Sequence, residues 1–159
     1  GPHMNTIAAK AIAFGEALRP EFKEYAEQVV CNARVLAAEL QIRGFQLITG
    51  GTSNHLILAD VYKSFGIDGK AAEVAMDAIG LTLNANSVPD DTLPPYRPSG
   101  IRLGTPALTT RGIKEGDMAR IAEWMKLAID SRDDAPRLAE LAVEVRDFTE
   151  GFPLPSDKS

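Results

Sequence analysis

Apolar residues along this chain change their spacing several times, and each change marks an element. In residues 21–43, Phe22, Tyr25, Ala26, Val29, Ala33, Leu36, Ala37 and Leu40 recur at helical intervals, which predicts one long helix burying a continuous stripe. Gly44 follows as its left-handed cap. Residues 7–18 are alanine-rich and helical in pattern, and Pro20 ends them because a proline disfavours helical geometry in the residue before it. The period then changes. Residues 45–49 and 55–61 are short aliphatic or β-branched runs that read as strands, separated by Gly50, Gly51, Thr52, Ser53 and Asn54, a turn by composition. Residues 68–79 return to helical spacing, with Ala71, Ala72, Val74, Ala75, Met76 and Ile79 on the apolar side and Gly80 as the stop. Residues 81–84 and 101–103 read as strands. Residues 113–129 predict a helix with Met118, Ile121, Trp124, Met125 and Ala128 facing inward, and residues 137–148 a last amphipathic helix. Residues 151–159 are polar and proline-bearing, and read as a frayed tail. The order α-α-β-β-α-β-β-α-α predicts an α+β fold, a small, mainly antiparallel sheet covered by helices. One domain is expected over residues 21–150, preceded by the helical segment 1–20.

Composition narrows the class. The chain has 159 residues, 45% of them apolar and 25% charged, the profile of an ordinary globular domain. Its net charge of -5 and lack of a Lys/Arg cluster argue against nucleic acid as a partner. Cys31 is the only cysteine. No internal disulfide can form, and its place between apolar neighbours reads as a buried structural thiol in a reducing compartment. No apolar run reaches the roughly 18 residues a membrane span needs, so a cytoplasmic protein is expected.

The long stretch without periodicity, residues 87–99, holds Pro89, Pro94, Pro95 and Pro98. Loops of this length in a compact domain often carry a ligand site. It leads into Arg102, an arginine between a short strand and a Gly-Thr-Pro turn. A guanidinium so placed can offer two parallel donors to a small carboxylate, or form a salt bridge within the chain. Asn84 and Asn86 form an N-x-N pair, suited to the edges of a heterocycle or to ordinary turn chemistry. His55 opens a strand beside the core and reads as a structural residue rather than a catalytic one. Thr105, Thr109, Thr110 and Arg111 read as geometry, with Gly104 and Gly112 permitting tight turns and Arg111 tying loops together. The alternating charges of Lys114, Glu115, Asp117, Arg120 and Glu123 form a solvated helix face. Two histidines and one cysteine, far apart, offer no metal-ligand spacing.

Residues 86–112, reading N-S-V-P-D-D-T-L-P-P-Y-R-P-S-G-I-R-L-G-T-P-A-L-T-T-R-G, closely resemble the C-terminal region of serine hydroxymethyltransferases, and residues 50–56 resemble that family's G-G-T-x-N-H-L segment. The resemblance implies the small C-terminal domain of a fold-type I pyridoxal-phosphate enzyme, a dimer or tetramer in which a one-carbon unit passes between serine and tetrahydrofolate. The cofactor ring acts there as an electron sink. By motif position, it implies that Arg102 binds the α-carboxylate of glycine or serine. Asn86 would contact the pteridine ring of tetrahydrofolate, with Ser87 and Val88 lining the same wall. Gly1-Pro2-His3 stands in register with a Gly-Gly-Pro segment whose glycine approaches the cofactor phosphate from a neighbouring subunit, which makes Gly1 a cofactor contact if these residues are native. Gly1-Pro2-His3-Met4 equally matches the remnant of a cleaved purification tag.

One departure is severe. The family's cofactor lysine follows a run of threonines and a histidine, and none of Lys10, Lys23, Lys63, Lys70, Lys114, Lys126 or Lys158 has that setting. The expectation is a piece of the enzyme, without a catalytic residue of its own and inactive alone, that adds a carboxylate clamp and part of a folate wall to a site completed by a large domain. A related pyridoxal-phosphate aldolase or transaldolase without folate binding, and a non-catalytic protein-binding module, are the alternatives. Helices that would otherwise cover a large domain imply association with a second copy of the chain.

Overall fold

In the computed structural model, which describes residues 1–158, the chain runs through α1 (Met4–Ala17), α2 (Pro20–Ile42), β1 (Gln46–Leu47), β2 (Leu56–Asp60), α3 (Val61–Phe65), α4 (Gly69–Ala78), β3 (Asn84–Asn86), β4 (Gly100–Gly104), α5 (Pro106–Arg111), α6 (Met118–Asp130) and α7 (Ala135–Glu150). Short 3-10 turns lie at Ile48–Gly50, Glu115–Asp117 and Pro155–Lys158. Asp60, Asp68 and Asp134 accept from the amides of Lys63, Ala71 and Arg137 and so start α3, α4 and α7, each satisfying a donor that the first turn leaves open. Gly44 and Gly80 end α2 and α4 at φ 90° and 81°, the left-handed region the sequence reserved for them.

The four strands are ordered β1-β2-β4-β3 and every pair is antiparallel, giving the α+β architecture expected. Opposed residues of an antiparallel ladder share a face. The register sets Ala59 against Ile101, Ile101 against Ala85, and Ile57 against Leu103, so these point one way. Ile57, Ala59 and Ile101 are at most 1% exposed, packed under α2, α4 and α6 with Leu36, Leu40, Met76, Met118 and Ile129, and joined by Leu141 and Val145 of α7. Leu58, Asn84 and Arg102, which oppose one another in the same ladders, point the other way.

Several local expectations are corrected. The strand expected at 81–84 forms instead at Asn84–Asn86. The amides of Gly80 and Leu81 still bond back to Asp77 and Met76, and Leu83 turns into the core. The stripe of α2 is fully buried only from Val29 onward: Tyr25 is half-buried, its hydroxyl against Pro106 and Thr110 of α5, and Phe22 and Ala26 stay exposed. Cys31 is exposed rather than buried; it follows Val29 by about 200° around the helix. Val74, expected inward on α4, is likewise exposed. Helices α3 and α5 were not foreseen, being too short to show a period. No residue of α1 is buried, and among the described residues no helix is long and apolar enough to cross a membrane.

Candidate functional site

Arg102 lies at the centre of β4, with Leu58 of β2 on one side and Asn84 of β3 on the other. It is exposed, and among the described residues its guanidinium has no hydrogen bond or ion pair. The salt bridge that residue chemistry allowed is not made. A charged planar fork with all five donors open is suited to a carboxylate. Asn84 is also exposed, with no side-chain bond among the described residues. Asn86 opposes Gly100 and is therefore diagonal to Arg102, a separation of about 7–8 Å in such a ladder. Its Nδ2 donates to the Ser87 carbonyl at 2.7 Å, and its amide oxygen has no partner among the described residues. Ser87 is exposed, whereas Val88 is buried. A Cβ on Gly100 would fall 2.7 Å from Val88 Cγ1 and 2.9 Å from the carbonyls of Ala59 and Asn86, so Val88 packs directly on the glycine that opens the arginine strand.

The loop between β3 and β4 is built from two aspartates that sequence reasoning missed. Asp91 Oδ2 accepts from the amides of Ser99 at 2.9 Å and Val88 at 3.2 Å, while Oδ1 accepts from the Leu93 amide at 2.9 Å and the Ser99 hydroxyl at 2.6 Å. Burial pushes the Asp91 carboxyl up, but the Ser99 hydroxyl and the three amides outweigh it and hold it well below the usual carboxylate range. Asp68 Oδ2 accepts from Arg97 Nε at 2.8 Å and Nη2 at 2.5 Å. For Asp68 too, burial raises the carboxyl and the Ala71 amide, Arg97 and the Lys70 amide bring it below its ordinary value. The end of the loop docks on helix starts: the Gly69 amide donates to the Pro98 carbonyl at 2.6 Å and the Tyr62 amide to the Ser99 carbonyl at 3.0 Å. The approach is so close that a Cβ on Gly69 would lie 2.0 Å from the Gly100 oxygen.

His55 departs from expectation. It is exposed, its imidazole has no partner among the described residues, and only its carbonyl is used, accepting from the Thr105 amide at 3.3 Å. The strand starts one position later than expected, after a turn held by Thr52 Oγ1 on the Leu56 carbonyl and by the Leu56 amide on Asn54 Oδ1. The G-T-P-A-x-T-x-R-G residues act as scaffold, as the sequence indicated. Thr105 Oγ1 donates to the Val29 carbonyl at 2.7 Å, and Arg111 donates to the carbonyls of Phe152 and Thr149 at 2.6 and 2.8 Å. The buried Asn32, unforeseen, donates to Thr109 Oγ1 and the Ile113 carbonyl and fixes α5 against α2.

Gly1 precedes α1, exposed, with open space where a Cβ would stand. Strands β2, β3 and β4 carry no lysine; Lys23, Lys63, Lys70 and Lys126 pair with Glu27, Asp60, Glu73 and Asp130, and Lys10 and Lys114 are exposed. Among the described residues no group of three or more His, Cys, Asp or Glu could hold a metal ion.

Residues 1–125 match the serine hydroxymethyltransferase family. The chain is also 50% identical over 154 residues, 97% of its length, to a serine hydroxymethyltransferase of Acidobacterium capsulatum. It spans 36% of that relative's length. With a family match across most of its residues and half of its aligned positions shared with one member, the chain belongs to the serine hydroxymethyltransferase family, as a C-terminal portion.

Proposed function

We propose that this chain is the C-terminal domain of an enzyme that interconverts serine and glycine, and that it supplies the substrate-carboxylate arginine and part of the tetrahydrofolate site. The observation that carries this reading is Arg102, exposed and without a partner among the described residues, flanked on the open sheet face by Asn84 and diagonally by Asn86. The Arg102 fork binds the amino acid's α-carboxylate through two parallel charge-assisted bonds. Its strand is held on both edges, so the bound carboxylate has a fixed direction, and orientation of this kind lowers the barrier of the step that follows. The free amide oxygen of Asn86 meets the donor edge of the pteridine, Ser87 lines the wall, and Val88 forms its buried base. Pyridoxal phosphate supplies the electron sink when bound, its lysine coming from the remainder of the enzyme. Gly1 of a neighbouring subunit would reach the cofactor phosphate. The chain by itself binds and orients, and is inactive alone; a homodimer in the cytoplasm belongs to the same reading.

The test is titration of a serine hydroxymethyltransferase carrying this segment with glycine and with tetrahydrofolate. Arg102→Ala is expected to abolish glycine binding, and Asn86→Ala to weaken folate binding while sparing glycine. Binding of the amino acid without any folate response would instead mark a related aldolase.

A further inference from the structure

We infer that Asp91 is a positioning residue that holds the folate-facing side of this site in register with the carboxylate-binding side. The inference rests on the function proposed above and adds to it a residue that touches neither ligand. Strand β3, which carries Asn86, is a three-residue edge strand paired only with β4. Strand β4, which carries Arg102, is paired along its whole length with β2 as well. An edge strand this short has little to fix its register. The loop that joins the two strands is closed at its neck by the Asp91 carboxylate, whose four bonds include the Val88 amide, just after Asn86, and both the amide and hydroxyl of Ser99, just before Gly100. One carboxylate thus ties the point where the chain leaves β3 to the point where it enters β4. Strand β3 also packs against α4, where Glu73 Oε1 accepts from the Ala85 amide at 3.3 Å.

The arrangement predicts an asymmetric defect. Without the clamp, Asn86 and the Ser87–Val88 wall lose their place, whereas Arg102 keeps its place through the β2 ladder. An asparagine at 91 cannot serve all four donors, because its NH2 group must replace one accepting oxygen.

The experiment compares Asp91→Asn and Ser99→Ala with the parent in a serine hydroxymethyltransferase whose C-terminal portion is this segment. For Asp91→Asn the KM for tetrahydrofolate should rise roughly tenfold, the size expected when buried donors lose their acceptor. The KM for serine should stay within about twofold, since its arginine sits on a separately held strand. Ser99→Ala should move the folate constant the same way by less, and amide exchange at Val88 and Ser99 should quicken in both variants. An unchanged folate constant, or an equal rise in both constants, overturns the inference. Should Asp91→Asn fail to fold, Ser99→Ala decides by the same two constants. A parent protein without any folate response overturns the underlying reading instead, and it is told apart because no variant is needed to see it.

Discussion

On its inner face the sheet presents Ile57, Ala59 and Ile101 to α2, α4 and α6 with almost no surface left to water, whereas the same strands turn Leu58, Asn84 and Arg102 outward, with the arginine and asparagine exposed and unpaired among the described residues. Strand alternation alone produces this division. The two arginines of the segment sharpen it. Arg97, in the loop, spends its guanidinium on Asp68 of the α4 cap; Arg102, on the strand, makes no ion pair among the described residues. The first cation serves the fold, and the second is the one to which the proposed carboxylate binding is assigned.

The largest effect expected is on the inner face. Ile101→Ala should destabilise the domain by about 2–5 kcal/mol, the cost of a cavity at a site that cannot collapse, measured by denaturant unfolding. On the outer face, Arg102→Ala should change stability by less than about 0.5 kcal/mol while raising the amino-acid KM by about a hundredfold, the loss of two charge-assisted bonds. If Arg102→Ala unfolds the protein, the division between the faces is wrong. Next in size, Arg97→Ala should cost about 1 kcal/mol or less, because the side chain is 65% exposed and such pairs are screened. It should leave the amino-acid KM near that of the parent.

Acid should test the two aspartate clamps. Asp91 and Asp68 both sit below their ordinary carboxylate values in the folded protein. A group whose folded pKa is depressed adds stability above its unfolded value, and that stability is lost as pH falls through the ordinary range near about 4 toward the depressed value. Unfolding midpoints recorded from pH 7 downward should begin to drop below about pH 5. Asp91→Asn should flatten that drop, and an unchanged slope would show that Asp91 does not contribute it.

Much of this fold is legible in the sequence because its signals are local. Gly44 and Gly80 need positive φ and end helices where expected, and the apolar positions of α6 are buried as their spacing requires. Arg102 is legible as chemistry only in part: its place between a short strand and a Gly-Thr-Pro turn allows either a carboxylate ligand or an internal salt bridge, and it is the family resemblance that implies the ligand. The clamps are less so. Asp68 and Arg97, or Asp91 and Ser99, meet only after the loop has taken its path, and no period announces that path. The one local sign is the bond from the Leu93 amide to Asp91 Oδ1, an aspartate turn that V-P-D-D could have suggested. Cys31 and His55 were misjudged for a related reason: an apolar neighbourhood in sequence does not say which side of a helix, or which end of a strand, meets the core.

The smallest stability effect belongs to α1, which contrasts with α6 in every respect but helicity. Helix α6 buries seven residues, while α1 buries none, and Phe14 within it and Leu18 just after it are 68% and 88% exposed. A lone helix of this length is marginal in water, and its apolar side chains favour association where no partner covers them. Phe14→Ser combined with Leu18→Ser should therefore shift unfolding by less than about 0.5 kcal/mol. The same pair should move the sedimentation of the isolated chain at high concentration from associated species toward monomer. If the parent is already a monodisperse monomer there, α1 is not an association surface, and its exposed side chains must be accounted for by the remainder of a longer protein.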